Sequence, residues 1–136
     1  MNAEQGAAGA LVMALVTALR DVPGISQVSD GAPIQAGDCA VAVDAGPQTD
    51  WGFKGGEGAE LRLAIVLTCA GEAPARARML GERIRAATAT IGPDLGGWRL
   101  VSMVMLRSRL LRERGPKWTA VAEYRARMMR EIAPVP

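Results

Sequence analysis

The groups in this sequence that could do chemistry are four carboxylates near its middle, a glycine run around one lysine, two cysteines and a cluster of arginines. Histidine does not occur at all. Its absence removes imidazole general-base catalysis, the usual serine and cysteine triads and most zinc sites. Asp44, Asp50, Glu57 and Glu60 could act as an acid–base pair only if two of them met in a pocket where burial raised one pKa. Spacing alone does not bring them together, and acids beside a glycine loop more often serve solubility. Cys39 and Cys69 stand thirty residues apart with no second metal-type ligand near either. They are expected as small apolar fillers on neighbouring strands. No catalytic residue, metal ligand or cofactor site is expected.

The segment from Ala45 to Gly58 carries four glycines after Trp51. A phosphate-binding P-loop needs its lysine after the glycines and a Ser or Thr next, so that amides and ammonium meet phosphate and the hydroxyl meets magnesium. Here Lys54 comes before the glycine pair and no hydroxyl follows. A dinucleotide-binding turn fails too, since no helix opens after the glycines. The loop is instead a pliable one that carries Trp51 and Phe53, two of the five aromatic residues. Such rings are buried by folding back on the sheet or by a neighbouring molecule, and the neighbour is the favoured reading.

The elements that hold these groups follow from periodicity. Ala7, Leu11, Ala14, Leu15, Ala18 and Leu19 form a stripe at helical spacing within Ala3 to Arg20, stopped by Asp21-Val22-Pro23-Gly24. Residues 22–38 read as an irregular connection, and Cys39 to Asp44 as a short strand. Leu61, Leu63, Ile65 and Leu67 alternate with more polar neighbours, as in a strand with one buried face. Pro74 opens a second helix with the stripe Leu80, Ile84, Ala87 and Ile91, and Gly92-Pro93 closes it. The last third reads as a long hairpin turning at Glu113-Arg114-Gly115-Pro116. One arm repeats Trp98, Leu100, Val104, Leu106 and Leu110, the other Trp118, Ala120, Ala122, Tyr124, Ala126 and Met128. The expected fold is α+β: a mainly antiparallel four-stranded sheet, two helices on one face and a long C-terminal hairpin. It forms a single domain over residues 1–136.

The arms exceed what a domain of this size needs to cover its core, so part of the hairpin is expected to project. Met103, Met105 and Leu111 would then give it a partly apolar outward face. Charge is divided along the chain. Residues 1–60 hold two basic and eight acidic side chains, residues 61–136 fourteen basic and six acidic. Such asymmetry points to a charged partner or to unlike faces of identical subunits. Arg107, Arg109, Arg112, Arg114, Lys117, Arg125, Arg127 and Arg130 make the densest positive patch. No aromatic platforms lie between these charges, so as a nucleic-acid surface they imply only weak backbone attraction. The apolar run Ala7 to Leu19 is too short to cross a bilayer, and a secretory signal would need basic residues where only Glu4 stands. The chain is therefore expected in the cytoplasm, with no membrane partner.

The run Thr49-Asp50-Trp51-Gly52-Phe53-Lys54-Gly55-Gly56-Glu57-Gly58-Ala59-Glu60-Leu61-Arg62-Leu63 resembles the tail-completion, or tail-terminator, family of long-tailed phages, prophages and gene transfer agents. In that family Thr-Asp-Trp and Lys-x-Gly-x-Gly lead into a strand. A helix follows, then arms like Trp98-Arg99-Leu100-Val101 and Trp118-Thr119-Ala120-Val121-Ala122-Glu123-Tyr124-Arg125-Ala126. The similarity spans about residues 5–130. It departs from the family at Glu60, where members often carry His, and at Leu67-Thr68, near which they carry an aromatic.

The resemblance implies a non-enzymatic homo-oligomer, typically a hexameric ring. Such a ring sits on the last tail-tube ring, meets the head–tail connector, ends tube growth and passes DNA through its lumen. It would assemble in the host cytoplasm and finish at the neck of the particle. Contacts are expected from the loop residues Asp50, Trp51, Phe53 and Lys54 and from the hairpin tip, Arg112, Glu113, Arg114 and Lys117. Arg107, Arg109, Arg125 and Arg127 are weaker candidates to face the lumen. The alternatives are another neck adaptor or tail-tube subunit, and a small nucleic-acid-binding protein.

Overall fold

The computed structural model describes residues 6–32 and 37–131. In chain order the elements are α1 (Ala7–Arg20), β1 (Gln27–Asp30), β2 (Cys39–Asp50), β3 (Gly56–Ala70), α2 (Ala75–Thr88), β4 (Asp94–Leu95), β5 (Trp98–Glu113) and β6 (Lys117–Glu131). The expected start of the first helix, Ala3 to Gln5, lies outside the described residues. The class is α+β as expected, but the sheet has six strands, in the order β1-β2-β3-β6-β5-β4. It is also mixed, because β1 runs parallel to β2. Parallel neighbours usually need a crossover of a dozen residues or more. Here β1 has four residues, so the return path is only roughly 13 Å and the short connection from Asp30 to Cys39 spans it.

Both helices pack on one face, α1 on β1 and β2, α2 on β3 and β6, and they touch each other. Leu11, Leu15 and Leu19 of α1 and Leu80 and Ile84 of α2 are buried against Val41, Val43, Leu63, Ile65 and Leu67 of the sheet. Each such aliphatic side chain contributes about 1.5–3 kcal/mol of transfer free energy. From β6 the same side receives Tyr124, Ala126 and Met128, at the alternation read from the sequence.

Three expectations are corrected. First, β2 is twelve residues long, because its register slips by a bulge between Ala45 and Gln48 and pairing resumes as far as Asp50↔Ala59. The bulge absorbs Gly46-Pro47, and the loop shrinks to Trp51–Gly55. Second, the hairpin does not project. β6 is an interior strand paired with β3 from Ala70↔Lys117 to Gly56↔Glu131, and β3 is as long as it.

Third, the two sides of β5 are partly exchanged. Bulges between Leu100 and Ser102 and between Met105 and Arg107 leave Val101 and Leu106 without partners. Each extra residue inverts the alternation beyond it. Met103 and Met105 therefore join Leu100 and Leu110 on the helix side, while Val101, Val104 and Leu106 are 44%, 42% and 41% exposed.

Cys39 and Cys69 do lie on neighbouring strands, directly opposite each other, buried and with Cα atoms 4.2 Å apart. They are joined as a disulfide, and so form a cross-link between β2 and β3 where separate fillers were expected.

Candidate interaction surfaces

The turn between β2 and β3 is held by its own backbone: Trp51 N–H donates to the Gly58 carbonyl at 3.0 Å and Gly56 N–H to the Phe53 carbonyl at 3.1 Å. The Asp50 carboxylate accepts from Gly52 N–H at 3.0 Å, an Asx-type closure that fixes where the strand ends. Gly55 has φ +89°, a region open to glycine and costly for other residues. The two aromatic side chains part company here. The Trp51 indole folds back over the Arg127 guanidinium at 5.3 Å, so it has a partner in its own chain where a neighbour was the favoured reading. Phe53 lies over Gly56 and stays 38% exposed, with Lys54 exposed beside it.

The four candidate acids do not converge. Glu60 accepts from Arg127 Nε at 2.9 Å on the sheet face opposite the helices. Glu57 accepts from Arg130 at 2.8 Å on the helix side, where Arg130 also lies 4.4 Å over the Trp98 ring. Asp50 is engaged with its own turn. No group of three or more Cys, Asp or Glu residues among the described ones is placed to hold a metal ion.

The hairpin tip is tied down. Gly71 N–H donates to the Pro116 carbonyl at 2.7 Å. Trp118 Nε1 donates to the Glu72 carbonyl at 3.0 Å, and the Glu72 carboxylate lies 3.6 Å from Arg112, which stacks 5.8 Å over Trp118. Of the four tip candidates, Arg112 is thus anchored, Glu113 and Arg114 are exposed, and Lys117 is half-buried.

Arg107, Arg109, Arg125 and Arg127 share the face away from the helices, as the shared parity of the hairpin arms requires. Two of them are neutralised within the sheet: Arg127 by Glu60 and Arg107 by Glu123 across the strand pair. The hydrogen bond from Arg107 holds the Glu123 carboxyl below its ordinary pKa, helped by the charges of Arg107, Arg109 and Arg62. Arg125 stands opposite Arg62 in register, and its buried Nε finds no hydrogen-bond partner among the described residues. Two guanidinium groups thus face each other where an opposite pair would be stabilising.

The chain is similar to a chain of a gene transfer agent virion. That solved structure is described as "Virion of native gene transfer agent (GTA) particle". The match has a TM-score of 0.71 and 26% identity, and covers 93% of this chain and 99% of that one. No family model matches the sequence, and no curated protein does. No helix among the described residues is long and apolar enough to cross a membrane.

Sequence reasoning missed the pairings of Arg127 with Glu60 and Trp51, of Arg130 with Glu57 and Trp98, and of Trp118 with Glu72. Each joins residues at least thirty positions apart, so only the β3–β6–β5 register reveals it. The alternation of Glu60 with Leu61 and of Arg127 with Met128 was the one signal available. It gives the face but not the partner.

Proposed function

We propose that this chain is a tail-terminator subunit: copies form a ring, typically of six, on the last ring of a phage-type tail tube. The ring ends tube growth, meets the head connector and lets DNA pass through its lumen, and the subunit catalyses no reaction of its own. It is made in the host cytoplasm and ends at the neck of the particle. The likeness over 93% of the chain to a component of a gene transfer agent virion carries the broader part of this reading, a structural role in such a particle. The terminator position rests on the sequence resemblance at Thr49–Leu63, Trp98–Val101 and Trp118–Ala126.

The surfaces suit the role. Exposed Phe53 and Lys54 at one end of the sheet and Glu113 and Arg114 at the other offer separate patches, as a head-to-tail ring requires. Internal pairing of Arg107 and Arg127 leaves only weak attraction for passing DNA. The test is deletion of the protein from its particle, read by cryo-electron microscopy. Tails of uncontrolled length, or tails without heads, are the expected outcome. Joined particles with tails of normal length would sink the proposal.

A further inference from the structure

Six strands are covered by only two helices, and the shortfall falls on β5. Its helix-side residues Met103, Met105, Ser108 and Leu110 have α2 on one flank and no helix above them. The result is a groove between α2 and β5. It consists of cavities of about 320 and 450 Å³ that share Arg85, Met105 and Tyr124 in their walls and so follow one another along α2. Its floor is apolar, from Ile65, Leu67, Ala120 and Ala122, and includes two methionines, whose flexible thioethers adapt to an inserted side chain. Its mouth is positive, with exposed Arg78 and Arg85 of α2 against the single acid Glu82.

We propose that this groove receives the β2–β3 turn of a second copy of the chain, with Phe53 as the inserted side chain. The inference rests on the ring reading and names the contact that builds it. Phe53 is the one exposed aromatic ring among the described large hydrophobic side chains. The segment that carries it, Asp44 to Gly58, holds Asp44 and Asp50 against Lys54, with Glu57 already paired to Arg130, so its remaining charge is opposite in sign to the groove mouth. Asp44 and Asp50 form no ion pair among the described residues. An aromatic anchor in a desolvated groove ringed by complementary charge is the usual make-up of an interface hot spot. Turn and groove are different surfaces, so the contact is head-to-tail and propagates from copy to copy.

The experiment introduces Phe53→Cys and Ser108→Cys, singly and together, into the full chain. The native cysteines are buried and paired, so they do not interfere. Circular dichroism checks the fold, light scattering reads the assembly state, and mild oxidation is read on a non-reducing gel. The double variant is expected to give a ladder of cross-linked copies, and neither single variant a ladder. In parallel, Phe53→Ala is expected to weaken self-association at least about tenfold, the scale of an aromatic hot spot. Ring-sized species without a ladder would overturn the groove contact and leave the ring reading standing. A chain that stays monomeric at its highest soluble concentration overturns both. Protection of the Ser108→Cys thiol from maleimide only in whole particles, and not in the purified ring, overturns the second copy as occupant and gives the groove to another protein of the particle.

Discussion

Arg127 joins the glycine turn to the sheet: its Nε donates to Glu60 at 2.9 Å while its guanidinium carbon lies 5.3 Å from the centre of the Trp51 ring. One side chain thus carries an ion pair and a ring contact on the face away from the helices, and it fixes where the turn points. At an exposed site a cation–π contact contributes about 0.5–1 kcal/mol. Trp51→Ala should therefore leave the monomer folded, with its thermal midpoint lowered only slightly, while ring formation or tail joining is lost. Circular dichroism and particle counts check this, and normal joined particles from the variant would refute it.

Glycine 58 is set by a close approach. A Cβ placed there would lie 2.6 Å from the Trp51 carbonyl carbon, and closer still to its oxygen, and backbone cannot yield as a flexible side chain can. Gly58→Ala should cost about 1–3 kcal/mol, as overpacking does. Gly81→Ala in α2, where a Cβ meets nothing within 4 Å, should instead gain about 0.4–1 kcal/mol by restricting the unfolded chain. Urea titrations of the two variants should move in opposite directions. A shared sign would contradict the geometry.

Arg62 faces Arg125 in register, and Glu123, whose carboxyl feels the Arg62 charge, is already engaged by Arg107. Replacing Arg62 by Gln removes the repulsion without adding charge. At low ionic strength the variant should be more stable by roughly 0.2–1 kcal/mol, an advantage that shrinks as salt screens the pair. A lower unfolding midpoint for the variant at low salt would show that Arg62 is held by attraction.

Glu123 gives a pH signature. Its carboxyl is held below the ordinary range, first by the hydrogen bond from Arg107. A depressed folded-state pKa means that the pair's stabilisation is complete above the unfolded glutamate pKa and disappears as pH falls through the lowered value. The site is solvent-exposed, so the effect is small and salt-sensitive. Glu123→Gln should flatten the acid limb of the curve of thermal midpoint against pH and leave the alkaline limb unchanged. An unaltered acid limb would mean that the pair contributes nothing.

Much of the helix-side core was legible, because helical and strand spacing each select one face. Leu11, Leu15 and Leu19, Leu80 and Ile84, Leu61 to Leu67, and Tyr124 to Met128 all lie where periodicity puts them. The short strands β1 and β4 were not, since four and two residues are too few to show a period. The contact candidates were legible only as groups: parity placed Arg107, Arg109, Arg125 and Arg127 on one face, but not which of them is already paired.

The sequence by itself determined the α+β class, the α1 stripe and the Leu80, Ile84 and Ala87 stripe of α2, the presence of a glycine-rich turn within Ala45–Gly58 and the separation of acid from base along the chain. These depend on neighbours within a few residues, which periodicity and backbone preference report directly. Only the tertiary structure decided that β6 lies inside the sheet, that bulges at Val101 and Leu106 exchange the sides of Met103, Val104 and Met105, and that Cys39 meets Cys69. Those outcomes depend on strand register. A single extra residue inverts every side chain beyond it, and register is settled by contacts between segments far apart in the chain.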